Sequence, residues 1–356
     1  MAERPWLYGM TLAQLREVAR ELSMPGYTAS QLAVWLYKKG AAQIASMTDI
    51  SLQARQMLED RYQVGGISPV GVETSDDGTK KYLFPTLGGG HVESAYIPDS
   101  ERATLCVSSQ SGCRMGCRFC MTARVGFAGN LTSGEMLNQY RAVTEAPAIS
   151  NIVYMGMGEP LDNFGPVLDS LEVLTSSWGY AWSPTRITLS TAGIIPQLRE
   201  FLELTKVHLA VSLHSPFHEQ RAEIMPVENK YPIAEVVEVI KSYDFSHQRR
   251  VSFEYIVFKG VNDTAQHIKE LARLLGGLGC RINLIRFHSI PDSSWASPSP
   301  GEMVRLRDAL STKGFITTIR ASRGEDIKAA CGLLSAGDSP SPTLPKGAGA
   351  SGVEMG

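Results

Sequence analysis

The stretch "SSQSGCRMGCRFCMTARVGF", residues 108–127, places Cys113, Cys117 and Cys120 within eight positions of a chain that has only six cysteines. Thiolates are soft ligands suited to zinc or to iron–sulfur clusters, and three in one loop can hold one face of a metal centre. A structural zinc site commonly uses two separated C-x2-C pairs, and the sequence contains only one such pair. The stretch therefore predicts a [4Fe–4S] cluster with one iron left open for a substrate, with zinc as the alternative.

The rest of the 356-residue chain has the composition of a large globular protein, with 43% hydrophobic residues and a formal net charge of −2. Its first residues show no cationic region followed by an apolar run, and no uncharged segment reaches the roughly 18 to 20 residues of a membrane span. We therefore expect a cytoplasmic protein without a membrane partner, whose cysteines serve metal or redox chemistry rather than a disulfide framework. The net charge neither favours nor excludes nucleic acid, because RNA binding needs only a local basic face.

Residues 1–75 are predicted to form a small helical accessory domain. Thr11 with Gln14, and Thr28 with Gln31, each match a capping box at the start of a segment with helical apolar periodicity. Packing against the rest of the protein and contact with RNA are both open as roles for this domain, and the sequence favours neither.

The remaining chain divides into a hairpin and an α/β region. Residues 76–98 contain two extended runs around a Gly turn and predict a β-hairpin extension. From residue 99 to residue 334 strand-like and helix-like segments alternate. Most strand candidates are β-branched and apolar with little alternation, as expected for strands covered on both faces. They are ATLCVSS, SNIVYMG, TRITLST, VHLAVSL, RVSFEYIVF, RINLIRF and FITTIRA.

Repeated βα units predict a parallel sheet, either open or curled into a full or partial barrel. Functional residues of such a sheet lie at the C-terminal ends of its strands, and the cysteine stretch directly follows the first strand candidate. After residue 334 the pattern ends. Residues 335–356 are rich in Pro, Gly and Ser and are predicted to be disordered.

The spacing C-x3-C-x2-C after the first strand of a βα array resembles the signature of the radical SAM superfamily. That resemblance implies a (βα)6-type partial TIM barrel and a cluster whose open iron binds the amino and carboxylate groups of S-adenosylmethionine. One electron passed to the sulfonium then generates a 5′-deoxyadenosyl radical. The segment "GMGEP", residues 156–160, is similar to the superfamily motif that holds the amino group, with Gly158 and Glu159 at the matching positions.

Two further segments, "STAG" and "VSLHS", end strand candidates with residues that would complete the cofactor site. Taken alone, each would be an ordinary strand-to-loop residue. In sequence with the cluster they resemble ribose, carboxylate and adenine contacts, and they are Ser190, Ser212, Leu213 and His214.

The segments "RATLCVSSQSGC" and "RASRGEDIKAACGLL" resemble the RlmN and Cfr family of RNA adenine methyltransferases, and the resemblance covers nearly the whole chain. "RGEDIKAACG" is more similar to the RlmN branch, which methylates C2, than to the Cfr branch, which methylates C8, and C8 remains the alternative target. The implied partners are 23S rRNA, at an adenosine of the peptidyl-transferase centre, tRNAs, at an adenosine next to the anticodon, and an electron donor such as flavodoxin or ferredoxin. We expect the protein to act as a monomer.

One residue departs from the family pattern. His288, in "RFHSIP", stands where many members carry Asn in a segment similar to "PWNPFP" at the cofactor. An imidazole can donate or accept a hydrogen bond much as an amide does, so the contact is expected to persist with a different pH dependence.

The family chemistry implies roles for residues outside the cysteine loop. Adenine C2 is electron-poor and cannot attack a sulfonium methyl group, so a carrier is needed, and Cys331 in "AACG" matches the methyl-carrying cysteine. A second S-adenosylmethionine then supplies the radical that activates this methyl group, which joins the protein covalently to RNA. Cys106 matches the cysteine that resolves this adduct through a disulfide with Cys331, and Glu93 matches the acceptor of the C2 proton. Cys280 has no motif around it and is predicted to be a small buried residue.

RNA is the implied macromolecular partner, and base-modifying enzymes act on unpaired or unstacked bases. The candidate phosphate contacts are Arg114, Arg118, Arg124, Arg249, Arg250, Arg320 and Arg323. A solvated position or an ordinary ion pair is the alternative for each of them. A zinc-stabilised RNA-binding protein without redox chemistry is the alternative for the whole chain.

Overall fold

The computed structural model describes residues 4–246 and 250–335. Within these residues the helices are α1 (Leu12–Glu21), α2 (Thr28–Ala33), α3 (Leu52–Arg61), α4 (Met121–Arg124), α5 (Ser133–Arg141), α6 (Phe164–Thr175), α7 (Ile195–Leu204), α8 (His218–Ile224), α9 (Ile233–Lys241), α10 (Ala265–Leu274) and α11 (Pro300–Ser311). The strands are β1 (Gly71–Thr74), β2 (Lys80–Pro85), β3 (His91–Pro98), β4 (Ala103–Cys106), β5 (Gln110–Gly112), β6 (Phe127–Asn130), β7 (Ile149–Tyr154), β8 (Ile187–Thr191), β9 (His208–Ser212), β10 (Ser252–Val257), β11 (Arg281–Arg286) and β12 (Ile316–Ile319).

Seven parallel strands form the core of the molecule. β4 and β7 to β12 lie side by side in chain order, each hydrogen-bonded in parallel to the next. They correspond to the seven predicted strand segments, and at least one helix connects each strand to its successor. In the part of the chain that the structure describes, β12 pairs with β11 alone. The parallel sheet therefore does not close on itself, as expected for a partial barrel.

Burial explains why these strands are apolar without alternation. Every residue of β10 is buried, and Leu209 of β9 belongs to the same apolar core as residues of the surrounding helices. Leu171 of α6, Leu198 of α7 and Val236 of α9 reach that core from outside the sheet. Full burial of such a side chain contributes about 1.5–3 kcal/mol, so the helices fix the sheet that carries the site.

The predicted hairpin is present and extends the core sheet. β2 and β3 pair antiparallel around the turn at residues 86–90, and β3 pairs antiparallel with β4. β1 lies on the outer side of β2, so among the described residues the sheet has ten strands. In this register Ala95 lies opposite Cys106. The domain boundaries at residues 75 and 98 stay predictions, and the predicted disordered tail lies outside the described residues from residue 336 onwards.

The N-terminal helices begin differently from one another. Thr11 and Gln14 form the predicted capping box, with backbone-to-side-chain distances of 2.8 and 3.3 Å. The capping box predicted for Thr28 and Gln31 is wrong, because Tyr27 already has helical dihedral angles and precedes α2 as its N-cap. Thr28 therefore lies inside the first turn, where its side chain does not cap the helix.

The N-terminal helices pack directly on the core. The hydroxyl of Ser133, at the start of α5, donates to the carbonyl of Gly9 at 2.8 Å. A Cβ at Gly9, whose φ is +99°, would lie 2.2 Å from the backbone nitrogen of Gly134. This contact therefore requires glycine. None of the described helices is long and apolar enough to cross a membrane.

Candidate active site

A cavity at the C-terminal ends of the parallel strands collects most of the predicted site residues. Five of the six cysteines line it, and they are Cys106, Cys113, Cys117, Cys120 and Cys331. The sixth, Cys280, is 5% exposed and packs in the apolar core, as predicted. The cavity occupies the edge at which ligands bind in parallel α/β sheets.

A two-stranded ladder that the sequence did not predict holds the cysteine loop. β5 and β6 pair antiparallel on either side of the loop. Gly112 has φ +76°, and a Cβ there would lie 1.6 Å from the carbonyl oxygen of Gly126. The amide of Cys113 donates to the same carbonyl at 3.2 Å, and the amide of Cys120 donates to the carbonyl of Cys117 at 3.2 Å. The loop is therefore fixed by backbone contacts that only glycine permits at residue 112.

The three loop thiols are close enough to influence one another. Burial is the main cause that raises the pKa of Cys113 to about 12, and the charge of Cys120 contributes to the rise. Burial also raises the pKa of Cys117 well above its usual value, with added contributions from Cys120 and Cys113. Ionisation of all three thiols at neutral pH therefore requires a cationic centre between them, which an iron–sulfur cluster would supply.

In the described ranges, no three His, Cys, Asp or Glu side chains are arranged to hold a single metal ion. A [4Fe–4S] cluster binds each cysteine thiolate at a different iron. The three loop cysteines that line the cavity can therefore hold three of the four irons of such a cluster.

Gly158 and Glu159 lie beside the cysteine loop. A Cβ at Gly158, whose φ is +98°, would lie 2.6 Å from Cβ of Gln110. Glu159 is 4% exposed, and its carboxylate accepts hydrogen bonds from the Thr191 hydroxyl at 2.6 Å and the Ala192 amide at 2.8 Å. Burial raises the pKa of Glu159 to about 7 in spite of these hydrogen bonds. A buried carboxyl of this kind is suited to an ammonium partner, which would favour its ionised form.

The strand-end residues predicted for the cofactor divide into two groups. Ser190 at β8 and Ser212 at β9 line the cavity, together with His214 and His288. Leu213 is fully buried and does not line the cavity. Its amide donates to the carbonyl of Glu254 at 2.9 Å, so the structure gives it a backbone role between β9 and β10.

The two histidines differ in their surroundings. Nδ1 of His214 accepts a hydrogen bond from the Ile256 amide at 3.0 Å, and burial lowers the pKa of the ring to about 3. His214 is therefore neutral and carries its proton on Nε2. His288 is 8% exposed, and its ring lies 3.3 Å from the Ser322 hydroxyl and 3.6 Å from a carboxylate oxygen of Glu325.

Cys106 and Cys331 meet at the cavity from distant parts of the sequence. Cys106, in β4, is 7% exposed, whereas Cys331 is exposed. The pKa of Cys106 is raised to about 12, mainly by burial and in part by the charge of Cys331, against the opposing effect of the Arg320 guanidinium. All six cysteines are free thiols, so the disulfide predicted between Cys106 and Cys331 is not present in this structure.

Glu93 is a buried residue rather than a solvated one. It is 3% exposed, one carboxylate oxygen lies 3.3 Å from Nζ of Lys81, and the other accepts the Ser335 amide at 2.8 Å. Glu93 does not line the cavity itself. It lies two residues from Ala95 on β3, and therefore on the sheet face shared by Ala95 and its partner Cys106.

The arginines predicted to contact RNA have varied surroundings. Arg114 pairs with Asp162 at 2.9 Å, and Arg320 lies in the cavity, 3.3 Å from a carboxylate oxygen of Glu254. The neighbourhood of Arg320 suits charge balance at Cys106 and Cys331 better than phosphate contact. Arg118, Arg124 and Arg250 are exposed, Arg323 lines the cavity, and Arg249 lies outside the described residues.

Arg221 supports the site, although no motif in the sequence points to it. Its side chain is fully buried, and it forms an ion pair with Glu228. Its guanidinium donates to the carbonyls of Ala192 at 2.9 Å, Ser212 at 2.8 Å and Leu213 at 3.0 Å. Arg221 thus joins the ends of β8 and β9 beneath the predicted cofactor contacts.

Two family models match the chain. Residues 107–275 match the radical SAM superfamily, and residues 6–64 match the ribosomal RNA large subunit methyltransferase N-terminal domain. The chain is 55% identical to the "Probable dual-specificity RNA methyltransferase RlmN" of Bacteroides thetaiotaomicron, over 92% of this chain and 95% of that protein. It is 40% identical to the "Dual-specificity RNA methyltransferase RlmN" of Marinobacter nauticus, over 94% and 93%. The chain belongs to the RlmN family.

A solved structure confirms the fold of this RlmN family member. The crystal structure of a radical SAM methyltransferase from Sphaerobacter thermophilus matches it with a TM-score of 0.86 and 39% sequence identity. The match covers 93% of this chain and 99% of that one. Membership of the radical SAM superfamily also implies S-adenosylmethionine and a [4Fe–4S] cluster as cofactors.

Proposed function

We propose that this protein methylates C2 of adenosine, in the peptidyl-transferase centre of 23S rRNA and next to the anticodon of a subset of tRNAs. The observation that carries the proposal is the pair of thiols outside the cysteine loop. Cys106 and Cys331 line the same cavity as Cys113, Cys117 and Cys120. A carrier and a resolving thiol are what methylation of an electron-poor carbon requires.

The cavity residues are proposed to hold the two cofactors. Cys113, Cys117 and Cys120 would bind the [4Fe–4S] cluster, and Glu159 would bind the ammonium group of S-adenosylmethionine. Gly158, Ser190, Ser212, His214 and His288 would complete the cofactor contacts. Leu213 would support them indirectly, through the hydrogen bond of its amide to Glu254 on the neighbouring strand. When bound, one S-adenosylmethionine would supply the methyl group, and the cluster with a second S-adenosylmethionine would supply a radical that abstracts hydrogen, using an electron from a donor such as flavodoxin or ferredoxin.

The remaining residues are proposed to handle the methyl group and the proton. Cys331 is exposed, so it can accept a methyl group on its sulfur and present it to a base. Buried Cys106 stays protonated at neutral pH until the adduct forms. Its sulfur then bonds to the sulfur of Cys331 as the bond from Cys331 to the bridging carbon breaks, and that carbon takes up the proton to become the methyl group of the base. Glu93 accepts the C2 proton. Its position on the same sheet face as Cys106 supports that role.

RNA binding is proposed for the N-terminal helical domain, residues 1–75, for Arg323 at the cavity and for the exposed Arg114, Arg118, Arg124 and Arg250. The match of residues 6–64 to a domain of ribosomal RNA methyltransferases supports this assignment. We propose a cytoplasmic monomer.

The test is mass spectrometry of nucleosides from 23S rRNA and tRNA of cells with and without the protein. We expect 2-methyladenosine in both RNAs, and its loss when Cys331→Ala replaces the natural protein. Appearance of 8-methyladenosine instead would assign the Cfr-type target. Unmodified RNA in both strains, with a colourless protein that holds zinc, would replace the enzyme by an RNA-binding protein.

A further inference from the structure

The segment that carries Cys331 lacks the usual means of fixing a residue in space. Residues 322–335, here called the carrier segment, follow β12 and contain no helix or strand. Cys331 is exposed within it. A reacting group must be held to within about 0.5 Å of its productive position. The position of Cys331 therefore depends on side-chain and turn contacts along the carrier segment.

One set of contacts joins the carrier segment to the turn between β1 and β2. Asp77 of that turn accepts a hydrogen bond from the amide of Gly324 at 3.0 Å. In return, Asp326 of the carrier segment accepts from the Ser75 hydroxyl at 2.5 Å and the Asp76 amide at 3.3 Å. We call Ser75, Asp77, Gly324 and Asp326 the carrier clasp. Each side of the clasp contributes one carboxylate to the other.

Close packing reinforces these hydrogen bonds. Gly324 has φ +61°, and a Cβ there would lie 2.8 Å from Cγ2 of Thr79 and 2.9 Å from Cβ of Ala329. Burial raises the pKa of Asp77, but hydrogen bonds from Thr79, Gly324 and Ser75 outweigh it and hold the pKa at about 2. Asp77 is therefore ionised at neutral pH, and charged acceptors form the stronger hydrogen bonds.

A short turn connects the clasp to the part of the carrier segment next to Cys106 and Cys331. The amide of Ala329 donates to the carbonyl of Gly324 at 2.8 Å. Ala329 is 6% exposed and packs in one apolar cluster with Ala95 and Cys106. Two residues further along lies Cys331. The clasp thus fixes the turn that ends at Ala329, and Ala329 packs against Cys106.

Beyond Cys331 the carrier segment is held by the cysteine loop. The Met121 amide donates to the carbonyl of Gly332 at 2.8 Å, and the Thr122 hydroxyl donates to the carbonyl of Leu334 at 2.7 Å. Cys331 therefore lies between an anchor on α4 and the clasp on the β1–β2 turn. The ends of the carrier segment are also held, Glu325 by Arg286 at 2.8 Å and Ser335 by Glu93 at 2.8 Å.

We propose that Ser75 and Asp77 are positioning residues that hold Cys331 over the cavity through Gly324 and Asp326. The proposal rests on the proposed role of Cys331 as methyl carrier. It also gives a function to the β1–β2 turn, which lies outside the matched radical SAM region.

The test compares Asp77→Ala and Asp326→Ala with the control Asp76→Ala, which keeps the backbone amide that Asp326 accepts. Each holoenzyme is assayed with RNA for iron content, 5′-deoxyadenosine and methylated adenosine. We expect Asp77→Ala and Asp326→Ala to lower methylated RNA per 5′-deoxyadenosine by about tenfold or more at unchanged iron content, since misplacing a reacting group by about 1 Å can cost a hundredfold. Asp76→Ala should match the natural protein, and Asp77→Asn should fall between.

A second readout does not need turnover. Hydrogen exchange at the amides of Gly324 and Ala329 should become faster in Asp77→Ala and stay unchanged in Asp76→Ala. If Asp77→Ala fails to fold, Ser75→Ala serves in its place, since it keeps both carboxylates and removes only the hydroxyl that donates to Asp326 and accepts from the Asp77 amide. The proposed role of the carrier clasp would be overturned if Asp77→Ala, or Ser75→Ala in its place, changed neither the methylated RNA per 5′-deoxyadenosine nor the hydrogen exchange at Gly324 and Ala329. Retained methylation in Cys331→Ala would instead overturn the carrier role, whatever the clasp variants do.

Discussion

At the scale of single residues, the carboxyl of Glu159 experiences two opposing effects. Burial favours its neutral form, whereas hydrogen bonds from Thr191, Ala192 and Leu161 favour the ionised form. Burial prevails, and the pKa of Glu159 rises to about 7. A cationic ligand beside this group would reverse the balance, because an ammonium favours the carboxylate.

This balance predicts a pH-dependent affinity for S-adenosylmethionine. Only ionised Glu159 pairs with the ligand's ammonium, so below the pKa of about 7 binding must first remove a proton. We expect the apparent Kd to rise by about tenfold per pH unit as pH falls below 7, and to level off above it. Calorimetric titrations of the cluster-loaded protein between acidic and alkaline pH measure this directly. A Kd that does not vary with pH, or that varies equally in Glu159→Gln, would remove Glu159 from the ammonium site.

The loop cysteines give a second prediction at this scale. Cys113→Ala, Cys117→Ala and Cys120→Ala should each lose the cluster and all cleavage of S-adenosylmethionine, because two thiolates hold a cluster poorly. Cys280→Ala is the matched control, since Cys280 is buried in the core away from the cavity. Iron and sulfide analysis, with the visible absorption of anaerobic protein, checks both. A loop variant with full cluster content, or a Cys280 variant without one, contradicts the assignment.

The residues that could be predicted from the sequence are those with local motifs. Cys113, Cys117, Cys120 and Glu159 belong to short patterns, and the structure brings them to one cavity. Gln110 was not predicted, because its role is a hydrogen bond to the Glu159 amide, 49 residues away. Contacts of this kind depend on which strand ends become neighbours, and that information is not local.

At the scale of elements, hydrogen bonds from one buried arginine, Arg221, join the ends of β8 and β9. Arg221 is fully buried and reaches both strand ends from α8, while Glu228 balances its charge. A buried ion pair is costly to break from one side, because the remaining charge has no partner. The geometry of the predicted cofactor contacts therefore depends on this pair.

Arg221→Met should reduce the free energy of unfolding by about 3–5 kcal/mol, since it leaves Glu228 buried and uncompensated. Adding Glu228→Leu should recover part of the loss. Arg273→Met removes an exposed pair with Glu270 and should cause no measurable change. Urea unfolding of the four proteins provides the measurement. An Arg221→Met protein as stable as Arg273→Met would show that the pair does not support the strand ends.

The larger elements were predictable and the smaller ones were not. β10 and its parallel neighbours carry apolar β-branched runs because they are buried, so their sequences identify them. The ladder of β5 and β6 has strands of three and four residues that contain glycine, and such strands have no pattern of their own. α2 was predicted one residue late, because a helix can begin at Tyr27 without a capping side chain.

At the scale of the whole molecule, the fold brings together two thiols 225 positions apart in sequence, Cys106 and Cys331. β4 supplies one from the start of the parallel sheet, and the carrier segment after β12 returns the other to the same cavity. In sequence the cysteine loop lies between them, shortly after Cys106. The sequence could suggest this meeting only through a family resemblance, because no local pattern in the chain requires it.

The most direct test of the proposed mechanism is recovery of a covalent protein–RNA complex from Cys106→Ala. This variant should load the methyl group on Cys331, attack C2 and then stall, because the resolving thiol is missing. The expected result is RNA that stays attached to the protein through denaturation and is absent from the double variant Cys106→Ala/Cys331→Ala. An adduct that persists in the double variant, or that forms with Cys331→Ala alone, would show that another residue carries the methyl group. The absence of any adduct in a Cys106→Ala protein with full cluster content would equally contradict the account.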